Sequence, residues 1–225
     1  MKRFGRIGLV AAVAAAATVQ AARAQLPAIP YGPVETGLGV NLSADYGKQD
    51  TKAGGQSGYG VTGGIGFSRF GLSASVGALK PTIGGVSAQT SVAGRIGMKL
   101  FGGGLVPLTV GAQVGASSAN VITPAIPPAT GTVSTRTTTI LPALWVRVSP
   151  PLFPLKPWGQ VYYVAGNSSV TKEARFAVGA NFNLLLGLGV HAAYDWGNKG
   201  GGWWGVGAHV NIRVPSLGVP GVPGI

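Results

Sequence analysis

Two histidines and one carboxylate are the residues whose types best suit proton chemistry. His191 and His209 lie on the polar faces of two adjacent candidate strands, and a turn near Gly200 would set them opposite each other. Asp195 lies four residues further along the face of His191. An imidazole held by a carboxylate can act as a general base. No nucleophile pairs with it in the sequence, so the histidines read more simply as polar filling of an interior. Cysteine is absent from the 225 residues, which removes disulfides and thiolate metal sites, and no metal site is expected. Glycine-rich stretches such as Gly60 to Gly66 open no helix, so they lack the N-terminal amides that cradle phosphate. In strands, glycine eases curvature or lets another backbone come close. No cofactor is expected.

The other polar-face charges are Asp45, Arg95, Lys99, Arg147, Arg175, Asp195 and Arg213, five basic against two acidic. Buried charges need partners, because isolating one in a low-dielectric interior is costly. The pattern implies a hydrogen-bonded interior satisfied by water and counter-ions. A narrow anion-preferring pore is the sharper alternative that the basic surplus suggests.

The elements that carry these residues follow from composition. Only 10% of residues are charged, against about a quarter in a soluble domain, while 39 are glycine. No apolar run beyond the N-terminus approaches the roughly 20 residues of a spanning helix. Residues 1–24 read as a signal peptide for Sec export. Lys2, Arg3 and Arg6 precede an alanine-rich apolar stretch from Ile7 to Val19, and Ala22-Arg23-Ala24 offers cleavage between Ala24 and Gln25. Lys2, Arg3, Arg6 and Arg23 leave with that segment, so 17 basic residues become 13 against 5 acidic ones. The remainder are scattered singly, without the cluster or motif that nucleic-acid binding requires.

From Glu35 onward the sequence alternates apolar and polar residues over about ten positions, then turns, ten times over. The alternation predicts strands at 37–46, 58–67, 70–78, 88–100, 106–116, 137–148, 158–166, 174–183, 186–196 and 204–214. In the first, Leu38, Val40, Leu42, Ala44 and Tyr46 oppose Asn41, Ser43 and Asp45. Pro142 disturbs the sixth because it cannot donate to a ladder. The seventh is apolar on both faces at Val161 to Val164. Links at 47–57, 79–87, 117–136, 167–173 and 197–202 alternate with mostly shorter ones at 68–69, 101–105, 149–157 and 184–185.

Three features favour a lipid-facing barrel over a secreted soluble β-sandwich or adhesin, the alternative reading. Nearly every apolar face runs uncharged for eight to ten residues, close to the roughly 9–11 that cross a bilayer with tilt. Aromatics gather at the ends of those faces: Tyr46, Tyr59, Tyr194, Trp196 and Trp204 at the long-loop end, and Phe67, Phe70, Phe101 and Phe182 at the short-turn end. Such rings anchor at membrane interfaces. An even number of strands also lets the sheet close, as lipid demands of unpaired backbone.

On this pattern, residues 35–214 resemble the small outer-membrane β-barrel superfamily that contains opacity-type proteins and the membrane domain of outer-membrane protein A. The resemblance implies an all-β, closed, antiparallel up-and-down transmembrane barrel in a Gram-negative-type outer membrane. Its partners would be outer-membrane lipid, lipopolysaccharide and, during biogenesis, the barrel-assembly machinery. It implies a structural or passive porin-like role, with a barrel-embedded hydrolase as a third reading. Relatives commonly have eight strands, whereas this sequence reads as ten. They often end on an aromatic residue, whereas Val214 here is followed by a Pro/Gly-rich tail at 215–225. Residues 25–34 are expected as a short periplasmic segment ahead of the barrel. The loops at 47–57 and 117–136 are where recognition of a partner is expected.

Overall fold

The computed structural model describes residues 32–50, 56–80, 88–103, 106–124, 132–150, 153–167, 172–199 and 201–213. The signal segment, the Ala24–Gln25 junction and the tail lie outside them. Ten antiparallel strands close into one barrel: β1 (Gly39–Gln49), β2 (Ser57–Phe67), β3 (Phe70–Lys80), β4 (Gln89–Gly103), β5 (Val106–Pro124), β6 (Thr132–Val148), β7 (Leu155–Gly166), β8 (Glu173–Asn183), β9 (Leu188–Gly197) and β10 (Trp203–Arg213). Each strand pairs with its sequence neighbours, and β10 returns to β1 with Gly39 opposite Arg213 and Gln49 opposite Trp203. Closure leaves no free edge around the barrel, which is the condition for a sheet in lipid.

The strands begin and end within a few residues of the sequence expectation, with one exception. The expected loop 117–136 is largely strand, because β5 and β6 continue in register as far as Pro124 opposite Thr132. Here β4 follows β5 only to Ala119, and β7 follows β6 only to Thr139, so the hairpin continues beyond its neighbours. The β6–β7 ladder is interrupted at Leu141 and Pro142, where proline supplies no N–H.

Side chains follow the period-two rule, with the apolar set outside. Among the described residues, 38 large apolar side chains are exposed. The buried set holds 11 apolar residues and 15 polar or charged ones. A water-soluble fold has the opposite arrangement. Across β2, β3 and β4 the outer face reads Val61–Val76–Val92 on one rung, and Ile65–Leu72–Ile96–Val114 runs on to β5 on another.

The seventh strand's double apolar pattern has a simple cause. Val161 and Tyr163 face out, while Trp158, Tyr162 and Val164 face in and pack with Leu141, Ala143, Ala177 and Ala193 as an apolar cluster inside the barrel.

Candidate functional site

The interior is organised in three layers from the short-turn end to the long-loop end. At the short-turn end, Gly37 turns the chain with φ +93°, donating its N–H to Ser68 O at 2.9 Å, and residues 32–36 run inside the barrel. These include the last residues of the segment expected on the periplasmic side. Val34 N–H donates to Gln113 Oε1 at 2.9 Å, and the Gln113 amide donates onward to Gln160 at 3.0 Å. Arg147 donates to Glu35 at 2.9 Å and to Pro33 O at 3.2 Å, with its guanidinium 5.8 Å from the centroid of the Trp145 ring. Arg95 donates to Gly32 O at 3.0 Å.

The wall beneath this segment is a row of glycines. Gly66, Gly71 and Gly97 stand on one rung, and Gln113 completes it. A Cβ on Gly66 or Gly71 would lie 2.3 or 2.2 Å from the nearest backbone oxygen of Gly37 or Glu35. A Cβ on Gly97 would lie 3.0 Å from that of Val34. Only a strand without side chains lets a second backbone lie this close. The barrel is stoppered by its own chain.

No family model matches this chain, and no curated protein matches it. Among solved structures it is similar to the N-terminal β-barrel domain of Pseudomonas aeruginosa OprF, at 13% identity over 79% of this chain and 100% of that one, with a TM-score of 0.42. It is similar to the translocator domain of the autotransporter NalP from Neisseria meningitidis, at 14% identity over 81% and 91% of the two chains, TM-score 0.43. The β domain of the Bordetella autotransporter BrkA gives 13% identity over 80% and 100%, TM-score 0.46. At these identities the likeness concerns architecture alone.

The middle layer holds the histidines. They are not opposite each other in register: His191 faces Gly207, and His209 faces Gly189. Their rings nonetheless stack at 5.4 Å, with the two Nδ1 atoms 3.1 Å apart. The carboxylate beside His191 is Asp45 of β1, at 2.6 Å from Nε2, and Asp45 also accepts from Ser43 at 3.0 Å. The expected partner, Asp195, lies elsewhere. His209 Nε2 reaches Asn183 at 3.1 Å, so all four ring nitrogens are engaged. Between this layer and the stopper lies a cavity of about 100 Å³, bounded by Glu35, Asn41, Asp45, Arg95, His191 and His209. It has room for several waters.

The third layer, near the long loops, is an ion cluster. Arg175 donates to Glu173 at 2.6 Å and to Asp195, whose other oxygen accepts from the Tyr162 hydroxyl. Arg175 also reaches Gly201 O at 3.2 Å, and Glu173 accepts from Lys199 N at 3.0 Å, which ties the cluster to the 198–202 link. Glu173, Arg175 and Asp195 are all buried.

Of the expected lumen residues, Asp45, Arg95, Lys99, Arg147, Arg175, Asp195, His191 and His209 face inward. Arg213 pairs with Gly39, and its side chain lies outside the described residues. The charge balance differs from the sequence count. Among described inward side chains, Arg95, Lys99, Arg147, Lys156 and Arg175 stand against Glu35, Asp45, Glu173 and Asp195, five against four. Glu35 and Glu173 were missed because both sit at strand margins, where alternation gives no face.

All nine expected interface aromatics are exposed on the outside. Tyr46 pairs edge-on with Trp204 at 5.9 Å and is in register with Tyr59. Tyr194 stacks on Trp196 at 5.9 Å, and Trp196 on Phe176 at 5.9 Å. At the other end Phe67 stacks on Phe70 at 6.0 Å. The two sets form girdles at opposite ends of the apolar belt.

Proposed function

We propose that this chain is an integral outer-membrane β-barrel with a structural role, its lumen closed at rest. The observation that carries the reading is the inversion of burial: apolar outside, polar inside, with an aromatic girdle at each end. A soluble monomer rarely exposes contiguous apolar patches above a few hundred Å². Here such a surface encircles the molecule, and 11-residue strands match the thickness of hydrocarbon. The signal segment and the family resemblance supply the choice of the bacterial outer membrane, reached by Sec export and the assembly machinery.

The closed lumen rests on the stopper, the apolar cluster around Tyr162 and the Arg175 ion cluster, one behind another. Among the described inward side chains five basic groups stand against four acidic ones, a smaller surplus than the sequence suggests. A catalytic role is not favoured, because each histidine nitrogen already has a partner and none faces a nucleophile.

Outer-membrane fractionation with heat-modifiable gel migration tests the location. The folded protein is expected in the outer-membrane fraction and to migrate faster before boiling. Recovery as a detergent-free soluble monomer would contradict the reading. Planar-bilayer recordings test the closed lumen, and the wild-type barrel is expected to be silent. A steady anion-selective current would replace the structural role with the pore.

A further inference from the structure

The stopper touches the wall in a way that resembles a bound peptide more than a packed terminus. Within five residues it receives contacts of three kinds. Its backbone is read by Gln113 at Val34 N–H and by Arg95 and Arg147 at the Gly32 and Pro33 carbonyls. Its acidic side chain, Glu35, is held by Arg147. Its Val34 side chain is buried against Gly71 and Gly97. All these wall groups belong to strands whose ladders do not include the segment, and the turn at Gly37 is where the segment joins them.

We propose that the inner wall at the short-turn end is a binding groove for an extended acidic peptide, filled in cis by residues 32–36. The groove has a floor (Gly66, Gly71 and Gly97), a backbone reader (Gln113) and a carboxylate clamp (Arg147). Backbone contacts give affinity for any extended strand, and the clamp selects an acidic residue one place after a small apolar one. The floor explains why three inward positions in one rung lack side chains in the half of the barrel where the chain returns. The groove rests on the wall geometry, whereas its access from the periplasm rests on the membrane reading above.

The chain has no native cysteine, so an introduced pair reports the contact cleanly. Val34 Cβ and a Cβ on Gly97 would be 3.0 Å apart, about half an ångström inside the range of roughly 3.5–4.5 Å that a disulfide spans, so the segment must ease outward by about that much for the bond to close. In the full chain folded in lipid vesicles, Val34→Cys with Gly97→Cys is expected to cross-link on mild oxidation. Val34→Cys with the outward-facing Gly94→Cys is expected not to. Adding Gly71→Ala to the first pair places a Cβ 2.2 Å from Glu35 O and is expected to abolish the cross-link. Gly63→Ala, with nothing within 4 Å, is the folding control.

A labelled peptide, Gly-Pro-Val-Glu-Thr, is then added to the full chain carrying Val34→Gly and Glu35→Gly. It is expected to bind this variant and not the wild type, and to bind about tenfold more weakly with Gln in place of its Glu, the loss of one charge-assisted contact. A folded barrel that forms no Val34–Gly97 cross-link, or a vacated variant that ignores the peptide, overturns the groove. Vesicle partitioning is measured on the same samples. Failure to partition overturns the membrane reading and leaves the cross-link result to judge the groove.

Discussion

Arg175 carries more of the interior than any other single residue. It stands between Glu173 and Asp195 with its side chain 7% exposed, and its guanidinium bridges both carboxylates. Removing one member of a buried ion pair strands the rest at a cost of roughly 3–5 kcal/mol. Arg175→Ala is therefore expected to lower stability by about 3 kcal/mol, read from urea unfolding in lipid vesicles by tryptophan fluorescence. Arg175→Lys should fall between, because an ammonium cannot serve two carboxylates with a planar fork. An Arg175→Ala barrel as stable as wild type would mean the cluster is hydrated and its acids already screened. Alternation in the sequence was enough to aim Asp45, Arg95, Arg175 and Asp195 inward. It could not pair them, because partners can come from segments far off in sequence: Asp45 meets His191 from 146 positions away, and Arg147 meets Glu35 from 112. Those distances depend on register and closure, which no local pattern encodes.

Turns and strand ends decide the elements. Ser68 and Leu186 both have positive φ without being glycine, at 53° and 60°. Leu186 is 94% exposed, so its side chain gains little packing in return for the backbone strain. Asparagine tolerates the left-handed region. Leu186→Asn is expected to stabilise the barrel by about 1 kcal/mol in the same unfolding assay. A loss instead would show that the leucine is anchored in the interface. Strand existence was legible throughout because the outer apolar face repeats every second residue. The β5–β6 extension was not, since Val121 and Ile122 fall on successive positions and Pro124 follows, which leaves no alternation to read beyond Ala119. The stopper was invisible for a related reason: five residues with one Glu carry no period. Its trace was in the wall, where Gly66, Gly71 and Gly97 sit at inward positions. Sequence allowed the reading of close backbone approach there without naming what approaches.

For the molecule as a whole, the outer face must be solvated by something other than water. A basic residue at the middle of that face should then cost about 2–4 kcal/mol, falling towards the girdles. Val76→Arg, central in β3, is expected to show this penalty, while an Arg in place of Lys80 at the rim should be nearly neutral. Equal small effects at both positions would mean the face is wet. Even strand number and alternating link lengths made closure legible from sequence, because a lipid-facing sheet has no other way to satisfy its edges. Much of what filled the lumen was not legible, since Trp158 and Tyr162 are inward aromatics in a pattern that reserves aromatics for the girdles.

Single-cysteine labelling along β3 in bilayers with brominated acyl chains examines this most directly. Probes at Leu72, Ala74 and Val76 are expected to be quenched by bromine and shielded from aqueous thiol reagents, while probes at Ser73 and Ser75 are not quenched. Alternation of that kind along one strand places lipid on one side of the sheet and the interior on the other. Probes at all five positions that react alike with the aqueous reagent and ignore the bromine would contradict it.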